Sequence, residues 1–244
     1  MIIAVAGKGG VGKSTITALI IKHLIKRGQT PVLAVDADPN ANLGYYLGVE
    51  CDVSISDLRE DEFKNNPTGI SKVDWLDLKT QECIIETNSG FDILVMGKPE
   101  GPGCYCAVNN LLRTFIKKIG QQYKFVVIDN EAGLEHISRR TNEEVDVLFI
   151  VAEPTKISLI AAENVKKTAE ALGSKIKNKY LLINKKGIDK EKEPSNNMNI
   201  SGLETIGYVR YNNFSSNFDN NILNNQYMEI EKDIEDILNK ARVL

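Results

Sequence analysis

The sequence predicts an α/β fold with a doubly wound, mainly parallel sheet of about seven strands. Short apolar segments rich in β-branched residues recur along the 244-residue chain, and each has the length of a buried strand. Helical patterns lie between several of them; Ile16, Ile20 and Leu24, for example, share one helix face. Parallel strands need crossover helices, so this alternation favours a sheet covered on both faces. The predicted strands are Ile2–Ala6, Pro31–Val35, Asp92–Met96, Phe125–Ile128, Val145–Val151, Tyr180–Ile183 and Thr205–Val209.

The length of the chain favours a single domain over residues 1–244, because α/β folds of this size commonly share one core. Two stretches do not fit the alternation of strands and helices. Residues 51–90 are charged with weak periodicity, and residues 189–201 are polar, so both are expected to be irregular surface insertions. In a doubly wound sheet, ligands bind beyond the carboxyl ends of the strands, so functional residues are expected directly after strands.

The charge balance is slightly acidic, with 30 Lys+Arg against 33 Asp+Glu and a formal net charge of −3. This balance supplies no global positive field, so neither nucleic acid nor an acidic membrane is an expected partner. The first residues run from an apolar strand into glycines without a basic region or a long apolar stretch. We therefore expect no signal peptide and no membrane span, and a cytoplasmic location. Four cysteines in such a chain favour thiol chemistry or metal binding over a disulfide framework.

A glycine-rich segment follows the first predicted strand and precedes a helical pattern. It reads Gly7-Lys8-Gly9-Gly10-Val11-Gly12-Lys13-Ser14-Thr15 and matches the G-x-x-x-x-G-K-[ST] pattern of a phosphate-binding loop. The glycines of such a loop expose backbone N–H groups to phosphate oxygens, and the helix N-terminus adds partial positive charge. Lys13 is predicted to reach the β and γ phosphates, and Ser14 to bind magnesium. The sequence therefore predicts a P-loop nucleoside triphosphatase fold that binds ATP with magnesium.

The same glycines also match a different pattern. Gly7, Gly9 and Gly12 read G-x-G-x-x-G, and Asp36 ends the second predicted strand where a ribose-binding acid would lie in a dinucleotide site. The pair Lys13-Ser14 favours phosphoryl chemistry instead, because a pyrophosphate-binding turn does not require it. A tight glycine turn without a ligand would also account for the glycines.

The second lysine of the loop, Lys8, makes the segment resemble the deviant Walker A ATPases, the class of MinD, ParA and the nitrogenase iron protein. This resemblance implies a homodimer that encloses ATP, in which Lys8 reaches the partner's nucleotide and stabilises charge there. The segment Val35-Asp36-Ala37-Asp38-Pro39 resembles the first switch of the class. The resemblance implies that Asp38 positions or activates the attacking water and that Asp36 assists magnesium; turn capping by these acids is the alternative.

Two further strand ends resemble parts of the same site. The segment Val126–Asp129 is an apolar strand ending in a carboxylate, the Walker B pattern, so Asp129 is predicted to help hold magnesium through water. Asn184 and Lys185, which end another strand, resemble the base-reading position. The candidate walls of the base pocket are Pro154, Val209, Arg210 and Tyr211.

A cysteine pair follows the strand Asp92–Met96 through a turn rich in glycine and proline. The pair is Cys104-Tyr105-Cys106, and its position predicts that it lies on the nucleotide edge of the sheet. Two thiolates leave a tetrahedral or square-planar ion half coordinated, whereas a two-fold dimer axis would supply four sulfurs. Zinc, nickel and an iron–sulfur cluster all remain candidates. A reversible disulfide or two inert cysteines would also account for the pair.

Two segments together resemble the CooC family of nickel-insertion ATPases. They are Gly101-Pro102-Gly103-Cys104-Tyr105-Cys106 and Asp129-Asn130-Glu131-Ala132-Gly133-Leu134-Glu135-His136, and the resemblance spans roughly residues 1–211. It implies a homodimer with nickel or zinc at Cys104 and Cys106, and a client such as carbon monoxide dehydrogenase or acetyl-CoA synthase. Two different functions are also compatible with the sequence: an ATPase that carries an iron–sulfur cluster to reduce or load a client, and a positioning ATPase of the MinD/ParA type.

Overall fold

The computed structural model describes residues 1–58, 67, 69–98, 118–131, 145–171, 176–187, 199–211, 222 and 228–244. These residues form one eight-stranded sheet with helices packed against it. The strands are β1 (Ile2–Gly7), β2 (Val32–Ala37), β3 (Ile84–Glu86), β4 (Phe91–Val95), β5 (Phe125–Asn130), β6 (Val145–Ala152), β7 (Ile176–Lys186) and β8 (Glu204–Arg210). The α-helices within the described ranges are α1 (Lys13–Lys26), α2 (Leu43–Leu47), α3 (Lys72–Gln81), α4 (Lys156–Ala171) and α5 (Met228–Lys240).

The strand order is β3-β4-β2-β5-β1-β6-β7-β8, and every pairing except β3–β4 is parallel. Alternate residues of β1 pack on opposite faces of the sheet. Ile3 and Val5 join the core formed with α1 and α5, whereas Ala4 and Ala6 join the core formed with α4. This period of two on a sheet buried on both faces confirms the predicted doubly wound, mainly parallel architecture.

The structure differs from the sequence prediction in its number of strands, which is eight rather than seven. The additional strand, β3, lies within residues 51–90, for which the sequence predicts an irregular insertion, and α3 precedes it. Ser71 caps α3 by accepting a hydrogen bond from the backbone N–H of Asp74 at 3.1 Å. A strand of three residues is too short to show period-two alternation, so only its antiparallel pairing with β4 at the sheet edge identifies it. Residues 188–198 lie outside the described part of the chain.

The carboxyl ends of the central strands meet at one edge of the sheet. Asp129 of β5 lies in register with Val5 of β1 on one side and with Asp36 of β2 on the other. Gly7, the last residue of β1, lies opposite Val151 of β6. The loop after β1 therefore emerges between β5 and β6, next to Asp129 and one strand away from Asp36. Among the described helices, none is long and apolar enough to cross a membrane.

Candidate functional site

The loop between β1 and α1 requires glycine at two positions. A Cβ atom on Gly7 would lie 2.4 Å from the carbonyl oxygen of Val151, because the end of β1 passes close to the backbone of β6. Gly12 has a φ of +91°, in the left-handed region, and a Cβ atom there would lie 2.4 Å from the side-chain nitrogen of Asn184. The sequence pattern of glycines thus corresponds to a loop that is packed tightly against two neighbouring strands.

Helix α1 begins immediately after this loop and has no side-chain cap at its N-terminus. Its N-cap residue is Gly12, which has no side chain, and its first turn contains no acidic residue. The N–H groups of the first turn have no carbonyl partner within the helix, and the helix dipole places partial positive charge beside them. Lys13, the first residue of α1, is 6% exposed. A buried lysine beside such helix N–H groups forms an arrangement that binds anions.

Asp129 lies at the end of β5 against the first turns of α1. Its carboxylate accepts hydrogen bonds from the side chain of Ser14 and from the hydroxyl of Thr17, the latter at 3.4 Å. Its Oδ2 atom is buried and has no hydrogen-bond partner within the described structure. Burial and the neighbouring Asp36 carboxylate raise the pKa of Asp129 to about 7, although Ser14 and Lys13 act in the opposite direction.

Asp36 lies opposite Asp129 and is also fully buried. Its two oxygens accept backbone N–H groups, one from Asp38 at 3.1 Å and one from Leu43 at 2.8 Å. Burial raises the pKa of Asp36 to about 6, although these two hydrogen bonds lower it. Two adjacent buried carboxylates without a cation are unfavourable, because neither charge is fully compensated.

The oxygen ligands at this position fit magnesium, which prefers carboxylates, hydroxyls and water over nitrogen or sulfur. Ser14, Asp36 and Asp129 supply such atoms, and the unpartnered Oδ2 of Asp129 is one that a cation would satisfy. The described residues contain no group of three or more His, Cys, Asp or Glu side chains that could hold a metal by themselves. Phosphate oxygens and water would therefore complete the coordination shell, as is usual for magnesium at nucleotide sites.

Asp38 shapes the turn that follows β2. Its Oδ1 atom accepts the backbone N–H of Asn40 at 2.9 Å and the side-chain amide of Asn40 at 2.8 Å. Together with the two backbone N–H groups bound by Asp36, these contacts show that both acids accept hydrogen bonds within local turns, and their predicted roles toward magnesium and water stay predictions. Turn capping holds both carboxylates at the edge of the sheet beside the loop.

Lys8 is exposed on the outer side of the loop and lines a cavity of about 570 Å³. The opposite wall is formed by the segment between β6 and α4 and by the first residues of α4. The lining residues are Lys8, Gly9, Gly10, Val11, Glu153, Thr155, Lys156, Ile157 and Ser158. Ser14 and Thr15, on the other side of the loop, are half-buried.

Asn184 and Lys185, at the end of β7, both contact the glycine-rich loop. The side-chain amide of Asn184 donates to the carbonyl oxygen of Val11 at 2.8 Å. The Lys185 ammonium donates to the carbonyl oxygen of Gly10 at 2.9 Å and to the carboxylate of Glu153 at 2.6 Å. The sequence predicts that Asn184 and Lys185 read the nucleotide base. No pattern in the sequence indicates that these residues also contact the loop and Glu153.

Two further contacts at this site were not predicted from the sequence. Thr17 reaches Asp129 because it lies one helical turn after Lys13, on the face of α1 that packs against β5. Asn130 is fully buried and donates to the carbonyl oxygen of Val5 at 3.0 Å, which ties the end of β5 to β1. The spacing of Thr17 could have predicted its position, whereas nothing local predicts the partner of Asn130.

The predicted walls of the base pocket have different surroundings. Pro154 and Val209 are buried, whereas Tyr211 is 42% exposed. The guanidinium of Arg210 binds Asp233 and Glu229 of α5, at 2.9 and 2.7 Å. Its side chain is therefore directed to α5, and its part in a base pocket stays a prediction.

The cysteine pair and residues 132–136 of the second CooC-like segment lie outside the described residues. Cys104 and Cys106 belong to this part of the chain, so their predicted role in metal binding stays a prediction. The strand that leads to the cysteines is described: β4 ends at Val95, which lies opposite Asp36 of β2. The chain thus leaves the sheet at the edge that carries the glycine-rich loop and the acids.

Comparison with known proteins extends these observations to the whole chain. The family model of the CobQ/CobB/MinD/ParA nucleotide-binding domain matches residues 2–223. An uncharacterised ATP-binding protein of Methanocaldococcus jannaschii is 44% identical, over 98% of this chain and 99% of that protein. The carbon monoxide dehydrogenase accessory protein CooC of Rhodospirillum rubrum is 40% identical, over 72% of this chain and 71% of that one.

Among solved structures, the fold is similar to the cell-division ATPase MinD of Pyrococcus furiosus. The TM-score is 0.73, and the match covers 99% of this chain and 98% of that one. At 20% sequence identity this likeness bears on the fold alone. The family match, together with a phosphate-binding loop that follows β1 beside the acidic end of β5, leads to one conclusion: the chain belongs to the CobQ/CobB/MinD/ParA nucleotide-binding family and is a P-loop ATPase.

Proposed function

We propose that this ATPase is a metal-insertion protein that dimerises with nucleotide and supplies nickel to carbon monoxide dehydrogenase or a related nickel enzyme. The observation that carries the proposal is the 40% identity to CooC over 72% of the chain, combined with the Cys104-Tyr105-Cys106 motif. In this proposal the metal cargo is held by the cysteine pairs of two subunits at the dimer interface, since two thiolates from one chain leave an ion half coordinated.

The nucleotide site acts through the described loop and strand ends. The N–H groups of residues 7–15 bind the phosphates, and Lys13 neutralises charge on the β and γ phosphates. Ser14, Asp36 and Asp129 would hold magnesium, which when bound offsets the remaining phosphate charge. Asp38, kept at the sheet edge by its turn, orients the attacking water. Lys8 stabilises charge on the nucleotide of the partner subunit.

The surface around Lys8 supports dimerisation. Ile157 and Ile160, in the first turns of α4, are 70% and 52% exposed. Ile157 lines the same cavity as Lys8. Large apolar side chains exposed side by side at a cavity are typical of an interaction surface. A second copy seated there would cover both isoleucines and bring its own Lys8 towards the nucleotide.

The course of β4 supports a link between the nucleotide and the metal. The chain leaves β4 opposite Asp36, and Cys104 lies six positions after Lys98 (104 − 98). A segment of that length spans at most about 22 Å, which is the largest separation from Lys98 that the proposal allows for Cys104. A dimer closed by ATP would bring the cysteine pairs together, and by linkage the metal would alter the affinity for ATP.

Anaerobic metal analysis of the purified protein tests the proposal. Wild type is expected to bind about one nickel or zinc ion per dimer, as four thiolates provide one site. Cys104→Ala is expected to lose the ion yet retain nucleotide binding. Cys51→Ala, which removes a half-buried cysteine outside the pair, is the matched control and should retain the ion. Molar mass, measured with and without nickel and ATP, reports dimerisation.

Activation of a nickel-free client then tests the biological role. Nickel-loaded wild type with ATP should activate apo carbon monoxide dehydrogenase, and Cys104→Ala should not. An air-sensitive brown chromophore would point instead to an iron–sulfur carrier. A metal-free protein that binds DNA or liposomes only with ATP would point to a positioning ATPase, and either result would overturn the nickel proposal.

A further inference from the structure

Two neighbouring side chains at the end of β7 bind successive carbonyl groups of the glycine-rich loop. Asn184 donates to the carbonyl oxygen of Val11, and Lys185 donates to that of Gly10. In a regular strand successive side chains point to opposite faces of the sheet, so two adjacent residues would not reach one loop. The backbone of β7 must therefore depart from regular geometry at this point.

That departure is visible in the pairing and the backbone of β7. The pairing of β7 with β8 shifts register between Ile183 and Lys186, and Lys185 has a φ of +58°. A left-handed conformation is unfavourable for a residue with a long side chain and persists only where surrounding contacts maintain it. At Lys185 the ammonium group supplies these contacts. It donates to the carbonyl oxygen of Gly10 at 2.9 Å and to the carboxylate of Glu153 at 2.6 Å.

Binding the two carbonyl groups fixes the direction of the amide groups that follow them. In a trans peptide unit the carbonyl and the following N–H point in opposite directions, so holding the carbonyl of Gly10 fixes the direction of the N–H of Val11. That N–H makes a long hydrogen bond of 3.5 Å to the carbonyl oxygen of Lys8. The carbonyl of Val11 sets the N–H of Gly12 in the same way. Gly10 and Gly12 both have positive φ, and glycine allows such peptide units to rotate easily unless they are held.

Glu153, which directly follows β6, completes the arrangement. It accepts the Lys185 ammonium at 2.6 Å, and both side chains are 31% exposed. The backbone N–H of Glu153 donates to the hydroxyl of Ser158 in the first turn of α4 at 2.8 Å. The lysine is thus held between the loop and the segment that begins α4, rather than extended into solvent.

We propose that Lys185, held by Glu153, is a positioning residue that orients the peptide units of the phosphate-binding loop for nucleotide. Asn184 assists from the adjacent position. The inference rests on the nucleotide-binding part of the proposed function and is independent of the metal. This role accounts for the left-handed backbone geometry of Lys185 at the end of β7. It also means that Lys185 increases the affinity of the loop for the phosphate groups of the nucleotide.

The test compares Mg-ADP affinity and ATP hydrolysis in four variants of the full chain. Lys185→Met removes the ammonium, Lys185→Arg retains a cationic donor, and Glu153→Gln weakens the ion pair. Lys179→Met is the matched control, because it removes a lysine from the same strand away from the loop. Titration calorimetry gives the dissociation constant, steady-state kinetics give kcat and KM, and melting without nucleotide reports folding.

Lys185→Met is expected to weaken Mg-ADP binding by about tenfold or more and to raise KM more than it lowers kcat, because a charge-assisted hydrogen bond to the loop is lost. Lys185→Arg should recover most of the affinity, Glu153→Gln should show a smaller loss, and Lys179→Met should match wild type. A role in stability alone would lower the melting temperature and leave the dissociation constant unchanged.

Affinity of Lys185→Met within twofold of wild type would overturn the inference while leaving nucleotide binding by the chain intact. If Lys185→Met does not fold, Glu153→Gln decides the question, and unchanged affinity in that variant would overturn it. Failure of the wild-type chain itself to bind Mg-ADP would instead remove the proposed function on which the inference rests.

Discussion

Asp36 and Asp129 lie directly opposite each other on neighbouring strands, and both side chains are completely buried. Burial, and for Asp129 also the charge of Asp36, raises the pKa values of the two carboxylates to about 6 and about 7. Lys13 and Ser14 compensate only part of this negative charge. We therefore expect the pair to lower the stability of the protein without ligand.

Asp129→Asn should separate this effect from the predicted contact with magnesium. Without nucleotide or magnesium, removing one of two adjacent buried charges is expected to raise the free energy of unfolding by about 1 to 2 kcal/mol. With both ligands present, the variant should hydrolyse ATP about 100-fold more slowly, because a predicted magnesium contact is lost. Urea unfolding in chelator and phosphate release with magnesium are the measurements. A variant that is less stable in chelator would contradict the electrostatic account.

Lys13→Ala should abolish most hydrolysis. Lys13 is buried at the start of α1, beside helix N–H groups that have no partner in the helix, and its removal leaves phosphate charge uncompensated. Loss of one such preorganised group commonly slows a reaction by about 100-fold or more. Lys167→Ala, on the exposed face of α4, is the matched control and should keep wild-type turnover. Normal turnover in Lys13→Ala would contradict the assignment of the loop.

Ile157→Asp should weaken association of two chains in the presence of ATP. The side chain is 70% exposed beside the cavity lined by Lys8, so a charge there would lose its hydration in a dimer. We expect the dissociation constant of the dimer to rise about tenfold or more, with little change in folding, since an acid suits the first turn of a helix. Light scattering with ATP measures the association.

Leu78→Asp provides the comparison for Ile157→Asp. Leu78 is also a large apolar residue, 44% exposed, but it belongs to α3 rather than to the cavity wall. Its substitution should leave the dimer unchanged. Equal weakening by both substitutions, or by neither, would place the dimer contact elsewhere.

The ionisation of Glu231 is expected to make the stability of the folded protein depend on pH. Although burial opposes ionisation, hydrogen bonds from Lys22 and Lys26 at 2.7 Å lower its pKa to about 2, from 4.5. The folded state thus binds this proton more weakly than the unfolded state, so the contribution is complete above about pH 5 and is lost as the pH falls towards 2. The interaction joins α5 to α1.

Glu231→Gln should therefore lower the free energy of unfolding by about 1 kcal/mol at pH 7, a value reduced by solvent screening because Lys26 is 64% exposed. The difference from wild type should shrink as the pH falls towards 2. Glu204→Gln, at an exposed position of β8, should show no such difference. A constant difference between pH 7 and pH 3 would contradict the ion-pair explanation.

Much of the fold was predictable because its signals are local. Each central strand, such as β1 or β5, is a short run of buried apolar residues, and the sheet and its strand type follow from the alternation with helices. The antiparallel strand β3 escaped prediction because its three residues carry no periodicity of their own. Its pairing with β4 supplies the hydrogen bonds that define it.

The sequence by itself determined the fold class, the phosphate-binding loop and the acids at the ends of β2 and β5, because each depends on residues that are close together in the chain. Only the tertiary structure decided which of these groups meet. Lys185 and Gly10 are 175 residues apart, and Asp36 reaches Asp129 only through strand pairing. Arg210 binds the acids of α5, which lie 19 and 23 residues further along the chain. Such contacts depend on the register of distant strands and on packing between helices, which no local pattern encodes.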